Sequence, residues 1–193
     1  MKLLVILVLI CFCGVIKSQN SILDNFPTKE GLIVYTEIVE VDSTLKAVDL
    51  YLNAKNWIVE AFKSSQAVIE IDEKEARVIA IKAYIQKHVS YVSPKIWFTL
   101  KIEMKDGRYR YTLSNTKVTY DVSSVTPISH YENSLESWIN ETETATSTKK
   151  WVIEANEEWR TTLNTLCIDI DSDFKSIIRF LEKSMEVKSN KDW

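Results

Sequence analysis

Glycine, proline, cysteine and histidine are all scarce: the 193 residues hold three, three, three and two of them. Each scarcity excludes something. Glycines at 14, 31 and 107 cannot form a phosphate-cradling loop, which needs several close together so that backbone N–H groups can approach an anion. The histidines, His88 and His130, stand in no metal-ligand spacing. Cys11 and Cys13 lie in the first 18 residues, so a chain without that segment keeps only Cys167. One thiol makes no internal disulfide. Between Leu166 and Ile168, Cys167 reads as a small buried hydrophobe rather than a nucleophile. Positive charge is also not in excess: 24 basic residues stand against 27 acidic. That balance speaks against nucleic acid as a partner. No acid–base pair or nucleophile elbow is visible, so no catalytic residue, metal or cofactor is expected, and the chain does not read as an enzyme.

What is present begins with a leader. Lys2 precedes an apolar run over 3–16, broken by Lys17, Ser18 and Gln19. The run falls short of the roughly 20 residues that span a bilayer. Residues 1–18 therefore read as a signal peptide cut near Ser18, which sends the protein to the periplasm or cell exterior. The alternatives are a membrane anchor made by the retained leader, or a lipoprotein. The second is opposed by Ile10 and Phe12, which stand before the cysteines where processing needs a small residue. Loss of Lys2 and Lys17 leaves 22 basic against 27 acidic residues, a surplus of acid that fits a soluble exported protein.

The strongest local signal is a hairpin over 94–121. Two alternating runs meet at Asp106-Gly107, a dipeptide that favours a type I′ turn with positive φ at both central residues. A two-residue turn sets Lys105 opposite Arg108, Met104 opposite Tyr109, Ile102 opposite Tyr111 and Leu100 opposite Leu113. Glu103 then meets Arg110, and Thr99 meets Ser114, on the other face. A slip of one residue would scramble both faces. A face switch is expected near Asn115.

Around it, 31–41 reads as a first strand. Residues 44–64 then follow a helical period, capped by Asp42 or Ser43, with Leu50, Tyr51, Ala54, Trp57 and Ile58 on one stripe. Tyr51 and Trp57 read as core. Residues 67–71 form a short strand, 72–76 a polar turn and 77–91 a long strand with Ile79, Ile81, Ala83 and Ile85 on one face. Residues 123–150 read as a polar loop insertion, mobile around Glu141 to Thr148, with one helical turn near Leu135 and Trp138. From 151 to 187 the period is helical again, with Trp151, Ala155, Trp159, Leu163, Ile170 and Phe174 in the stripe, either as one long helix or as a pair broken near Asp171. Residues 188–193 are a tail. Asp169, Asp171 and Asp173 have the spacing of a calcium loop, but Phe174 replaces its glycine and Phe180 its bidentate acid, so they read as acids on a helix.

The fold expected is α+β, in the order β-α-β(4)-α: a five-stranded antiparallel sheet with one face under both helices. The order matches one half of the TATA-binding-protein-like (TBP-like) fold. Three segments resemble an exported bacterial family, common in Bacteroidetes, known as a domain of unknown function with TBP-like fold. They are Gly-Leu-Ile-Val-Tyr ending at Tyr35, Leu50-Tyr51 with Trp57-Ile58, and Lys-Asp-Gly-Arg-Tyr-Arg-Tyr ending at Tyr111. Met185 and Trp193 also look like the ends of these chains. The resemblance covers 27–122 and implies the fold, with no catalytic residue to carry over. DNA binding would be analogy of fold alone.

The other face of the sheet is the candidate site. Strand alternation places Lys82, Tyr84, Gln86, His88, Lys95, Trp97, Thr99, Lys101, Glu103, Arg108, Arg110, Thr112 and Ser114 there. Glu103 is the one acid among five lysines and arginines. The expected partner meets Tyr84, Trp97, Lys101, Arg108 and Arg110 and is an exported protein or an anionic or carbohydrate ligand, with Trp97 as stacking platform. The leading function is a non-enzymatic binding module. The alternatives are a structural protein that self-associates through sheet edges, as a homodimer, and, further off, an unsignalled hydrolase.

Overall fold

A computed structural model describes residues 21–62, 67–89, 92–122 and 129–187. The expected signal peptide with Cys11 and Cys13, the residues 123–128 and the tail 188–193 lie outside them. The described chain opens with a 3-10 turn, Ile22–Asn25, and a small hairpin of β1 (Thr28–Lys29) and β2 (Leu32–Ile33). Then follow β3 (Tyr35–Glu40), α1 (Ala47–Ala61), β4 (Ala67–Glu73), β5 (Val78–Gln86), β6 (Lys95–Lys105) and β7 (Arg108–Val122). Last come β8 (Ser129–Ser134), α2 (Leu135–Thr144) and α3 (Lys150–Met185).

The main sheet has the order β3-β7-β6-β5-β4, antiparallel throughout, and β8 pairs with β7 beyond β3 along the same edge. The expected single first strand is thus a hairpin plus β3. Glu30 and Gly31 both have positive φ (55° and 79°) and turn the chain back there. Every cross-strand pair expected in the hairpin is present. The turn itself differs. Of its two central residues only Gly107 has positive φ (72°), so it is not type I′. Tertiary contacts decide this. The Asp106 carboxylate accepts the Ala47 N–H at 2.8 Å, Gly107 donates to the Leu45 carbonyl at 3.0 Å, and Val41 donates to the Gly107 carbonyl at 2.9 Å. Asp106 therefore caps α1 from across the fold. The expected caps at Asp42 and Ser43 are not used: the Asp42 carboxylate accepts from Thr44 instead, and Asp49 receives the Lys46 N–H. The hydrogen bond from Ala47 depresses the Asp106 carboxyl, as expected where a helix N-terminus offers an unpaired donor.

The face switch sits at Asn115, whose φ is 55°. Trp97 pairs with Lys117 and Thr99 with Ser114, so Asn115 and Thr116 together oppose Phe98. This bulge moves the inward positions from odd (Tyr109, Tyr111, Leu113) to even (Thr116, Val118). The covered face packs under Leu50, Tyr51, Ala54, Trp57 and Ile58 of α1 and Leu163, Cys167, Ile170, Phe174 and Leu181 of α3. Phe98 lies between Phe62 and Phe174, with ring centroids 6.3 and 5.3 Å away. Burial pushes the Cys167 thiol up to about 12, which keeps it protonated and inert.

Other expectations are corrected or decided by the structure. The polar insertion over 123–150 contains a strand and a helix, so the sheet has six strands instead of five. Leu135, Trp138 and Ile139 bury one side of α2, and Ser134 caps it, which a purely compositional reading overlooks. The C-terminal helix is unbroken. The Asp171 carboxylate accepts the Tyr35 hydroxyl and pairs with Lys175 one turn on, while Ile170 and Phe174 are fully buried, so of the two alternatives the single long helix holds. Asp173 pairs with Lys87 at 2.6 Å. The buried stripe also starts later than expected: Trp151 is 69% exposed and Ala155 is exposed, and the first fully buried residue of α3 is Leu163. Finally, β5 ends at Gln86, and the polar turn shrinks because Asp72 and Glu73 still pair in β4.

Candidate functional site

The two helices leave one sheet face open, and the five expected site residues all lie on it. They do not form one site. At the usual rise of about 3.4 Å per residue, Trp97 and Lys101 on β6 are about 14 Å apart. Arg110 and Arg108 lie farther still, opposite Glu103 and Lys105. The face therefore has two ends.

At the arginine end the charges are matched within the sheet. Arg110 grips Glu103 through Nε and a terminal nitrogen at 2.9 and 2.7 Å. Lys101 reaches the other oxygen of Glu103 at 3.1 Å. Partial burial pushes the Glu103 carboxyl up, but the hydrogen bonds from Arg110 and Lys101 outweigh it and hold the group below the ordinary carboxylate range. Arg108 stands 3.7 Å from Glu40 of β3. Glu40 was not among the residues projected onto this face, because the neighbour of β7 across the sheet is a tertiary fact. The basic excess expected at Lys101, Arg108 and Arg110 is therefore largely cancelled.

At the other end only one of three lysines is matched by an acid. Tyr84 and Trp97 are cross-strand partners with ring centroids 4.8 Å apart. The Lys82 ammonium lies 5.6 Å from the Trp97 ring and that of Lys95 5.1 Å from Tyr84. Neither lysine has a carboxylate partner among the described residues. The four side chains form a ladder in which lysines shield the rings. Trp97 is thus not the bare stacking platform expected: it is half-buried, and its indole N–H donates to Thr119 Oγ1 at 3.0 Å. A hollow of about 300 Å³ opens beside it, lined by Lys82, Lys95, Lys117, His130 and Glu132 around Trp97 and Thr119. Lys117 pairs with Glu132 at 3.2 Å. On the other side of Trp97 a second hollow of about 370 Å³ runs under Leu32 and Val34 to the bulge, with Glu70, Thr99 and Asn115 in its wall. There Glu136 accepts the Ile33 N–H at 2.8 Å and the Thr116 hydroxyl at 3.1 Å, tying β2 and α2 to the bulged strand.

Lys117, Thr119, His130 and Glu132 were missed in the sequence. The signal was available: once the face switches at Asn115, odd positions turn outward. His130 is a strand residue of β8 and not a loop residue, with Nδ1 2.9 Å from an Asp121 oxygen. His88 is off the face, beyond the end of β5, with Nδ1 2.8 Å from Ser93 Oγ. Among the described residues no cluster of three or more His, Cys, Asp or Glu is placed to hold a metal, and no helix is long and apolar enough to cross a membrane.

Residues 35–119 match the model of a protein family, "Domain of unknown function (DUF4468) with TBP-like fold". Two solved structures are similar to most of the chain. A TBP-like protein from Parabacteroides distasonis ATCC 8503 has a TM-score of 0.53 at 12% identity, over 82% of this chain and 97% of that one. A DUF4468 family protein from Bacteroides ovatus ATCC 8483 has a TM-score of 0.52 at 14% identity, over 86% and 94%. No curated protein matches. The resemblance read from Tyr35, Leu50-Tyr51 and the Asp106-Gly107 hairpin is borne out, and so is the TBP-like α+β fold.

Proposed function

We propose that this TBP-like domain of unknown function works as an exported, non-enzymatic binding module. Its open sheet face receives an anionic group of a protein or glycan partner at the Trp97 end. The observation that carries this reading is the convergence of Lys82, Lys95 and Lys117 on one hollow around Trp97 and Thr119, with Glu132 as the single acid in its wall. Lysines aimed into a concave wall focus positive potential, and the low-dielectric ring beside them strengthens it. The Arg108 and Arg110 end is a weaker candidate because its guanidinium groups already have carboxylate partners. Export rests on the leader over 1–18.

The test uses two polyanions as probes, heparin for sulfate and polygalacturonate for carboxylate. Wild-type protein should bind at least one of them in about 50 mM salt and release it near 500 mM, since exposed charges are screened within about 10 Å already at 0.1 M. Replacing Lys82, Lys95 and Lys117 by Gln should abolish binding. Replacing Arg108 and Arg110 by Gln should leave most of it. If both sets lose binding equally, or neither does, the assignment to the Trp97 end is wrong.

One observation favours self-association instead. Edge strand β4 exposes Val68 (66%), Ile69 and Ile71. Its register shifts between Ile69 and Ile71, however, and such a bulge obstructs strand addition. Sedimentation of the wild type beside Val68→Lys decides this: a dimer that the variant dissolves supports edge pairing, and a monomer at all concentrations removes it.

A further inference from the structure

On the covered side of the sheet, a hollow of about 220 Å³ has no basic side chain in its wall. The bulge at Asn115 creates it. Past the bulge, Tyr120 of β7 turns to the helix side and meets its cross-strand partner Tyr131 of β8. Their rings stack at 4.7 Å and 24°. Trp138 of α2 stands 6.0 Å from Tyr120, and Trp159 of α3 stands 6.1 Å from Trp138. Four rings from four elements thus make one arc. Trp138 is buried at its base, while Tyr120, Tyr131 and Trp159 remain half-exposed. Glu141, one helical turn after Trp138, completes the wall together with Asn156.

The charge of Glu141 is the second observation. Its carboxylate accepts the Tyr131 hydroxyl at 3.1 Å and the Asn133 amide at 2.8 Å. Both donors are neutral, so they position the group without cancelling its charge. No Lys, Arg or His pairs with it among the described residues. Aromatic faces carry negative potential and attract cations, more strongly when water is excluded. A hydrated primary ammonium gives up its water reluctantly in a cup with few acceptors. A methylated ammonium is weakly hydrated and presents apolar surface as well as charge. The volume suits it: at about 30 Å³ per water, the cup displaces about seven waters, the scale of a small headgroup.

We propose that this cup binds the methylated ammonium group of a small organic cation of the choline class. The site is separate from the open face and does not depend on the reading given above for Trp97. The full chain without its leader is titrated with choline chloride by calorimetry, with the indole N–H signals of Trp138 and Trp159 followed by NMR. Saturable binding that shifts those two signals is expected. The neutral isostere 3,3-dimethylbutan-1-ol should bind about tenfold more weakly, and Glu141→Gln should weaken choline about fivefold, the scale of one desolvated cation–π or charge contact. Trp159→Leu should weaken it about tenfold. Should that variant lose its fold by circular dichroism, Glu141→Gln and the isostere still decide. Vesicles with phosphocholine headgroups separate two sources of the same group: binding there as well as to choline assigns a lipid-borne headgroup, and binding to choline alone assigns a free solute. No saturation below about 20 mM choline, equal binding of the neutral isostere, or an unchanged affinity in Glu141→Gln overturns the proposal.

Discussion

Phe98 and Trp97 are neighbours on β6, similar in size and aromatic character, and they live in different worlds. Phe98 is 1% exposed and lies against the core rings of Phe62 and Phe174. Trp97 faces the open side among lysines and hydroxyls. Alternation decides the direction of each, and the identity of what each meets is decided elsewhere in the fold. The inward residue meets α1 and α3, which fill space. The outward residue meets side chains from β5, β7 and β8, which set charge. The same contrast holds for acids. On the open face Glu103 is held by Arg110 and Lys101 and lies below its ordinary range. At the end of α3, burial pushes Glu182 up, and Glu37 nearby pushes it further.

The contrast can be broken by substitution. The largest effect is expected inward. Phe98→Ala should cost about 3–5 kcal/mol in urea denaturation, because it removes a ring from a filled core and leaves a cavity. Arg110→Ala, opposite in facing and exposed, should cost under about 1 kcal/mol. Similar losses for both would mean that the two faces are not as distinct as their burial implies. An intermediate effect is expected where the faces meet at the turn. A Cβ at Gly107 would come within 3.4 Å of Ser43 Cα, and its φ of 72° disfavours any branched residue. Gly107→Val should therefore cost about 1–3 kcal/mol and loosen the N-terminus of α1, seen as faster amide exchange at Ala47.

The smallest effects, in pH dependence, should have opposite signs. Glu103 has a folded pKa below its unfolded value near 4.3, so its contribution is present above that pH and is lost as pH falls through the folded value. Glu103→Gln should lower stability at pH 7 and flatten its fall below about pH 4. Glu182 has a raised folded pKa, so its charge costs stability at neutral pH and protonation relieves the cost. Glu182→Gln should raise the Tm at pH 7, with the gain fading below about pH 4. Thermal melts from pH 3 to 7 read both. Parallel curves for the two variants would erase the difference between the faces.

Much of this was legible along the chain. The register from Lys105–Arg108 to Thr99–Ser114, the inward set of α1 and the open-face positions of Tyr84, Trp97, Lys101, Arg108 and Arg110 all follow from periods of 2 and 3.6, which are local geometry. The second half of the candidate site was not. Lys117 was lost to a parity change, His130 and Glu132 to a segment whose polar composition hid the pairing of β8 with β7. The cup of Tyr120, Tyr131, Trp138 and Trp159 needs four elements to converge, and no spacing announces that.

By itself, then, the order of residues determined which elements form, how the hairpin registers and which side of each strand turns inward. These are choices made within a few residues, by backbone sterics and by burial of alternating side chains. Tertiary structure alone decided the turn at Asp106, whose carboxylate caps a helix 59 positions away, and the unbroken run of α3 through Asp171. It alone decided that Glu40 stands beside Arg108 at one end of the open face and that Lys117 joins Lys82 and Lys95 at the other. The reason is that charge and capping act through space between side chains distant in the chain, and their partners exist only once the sheet has closed.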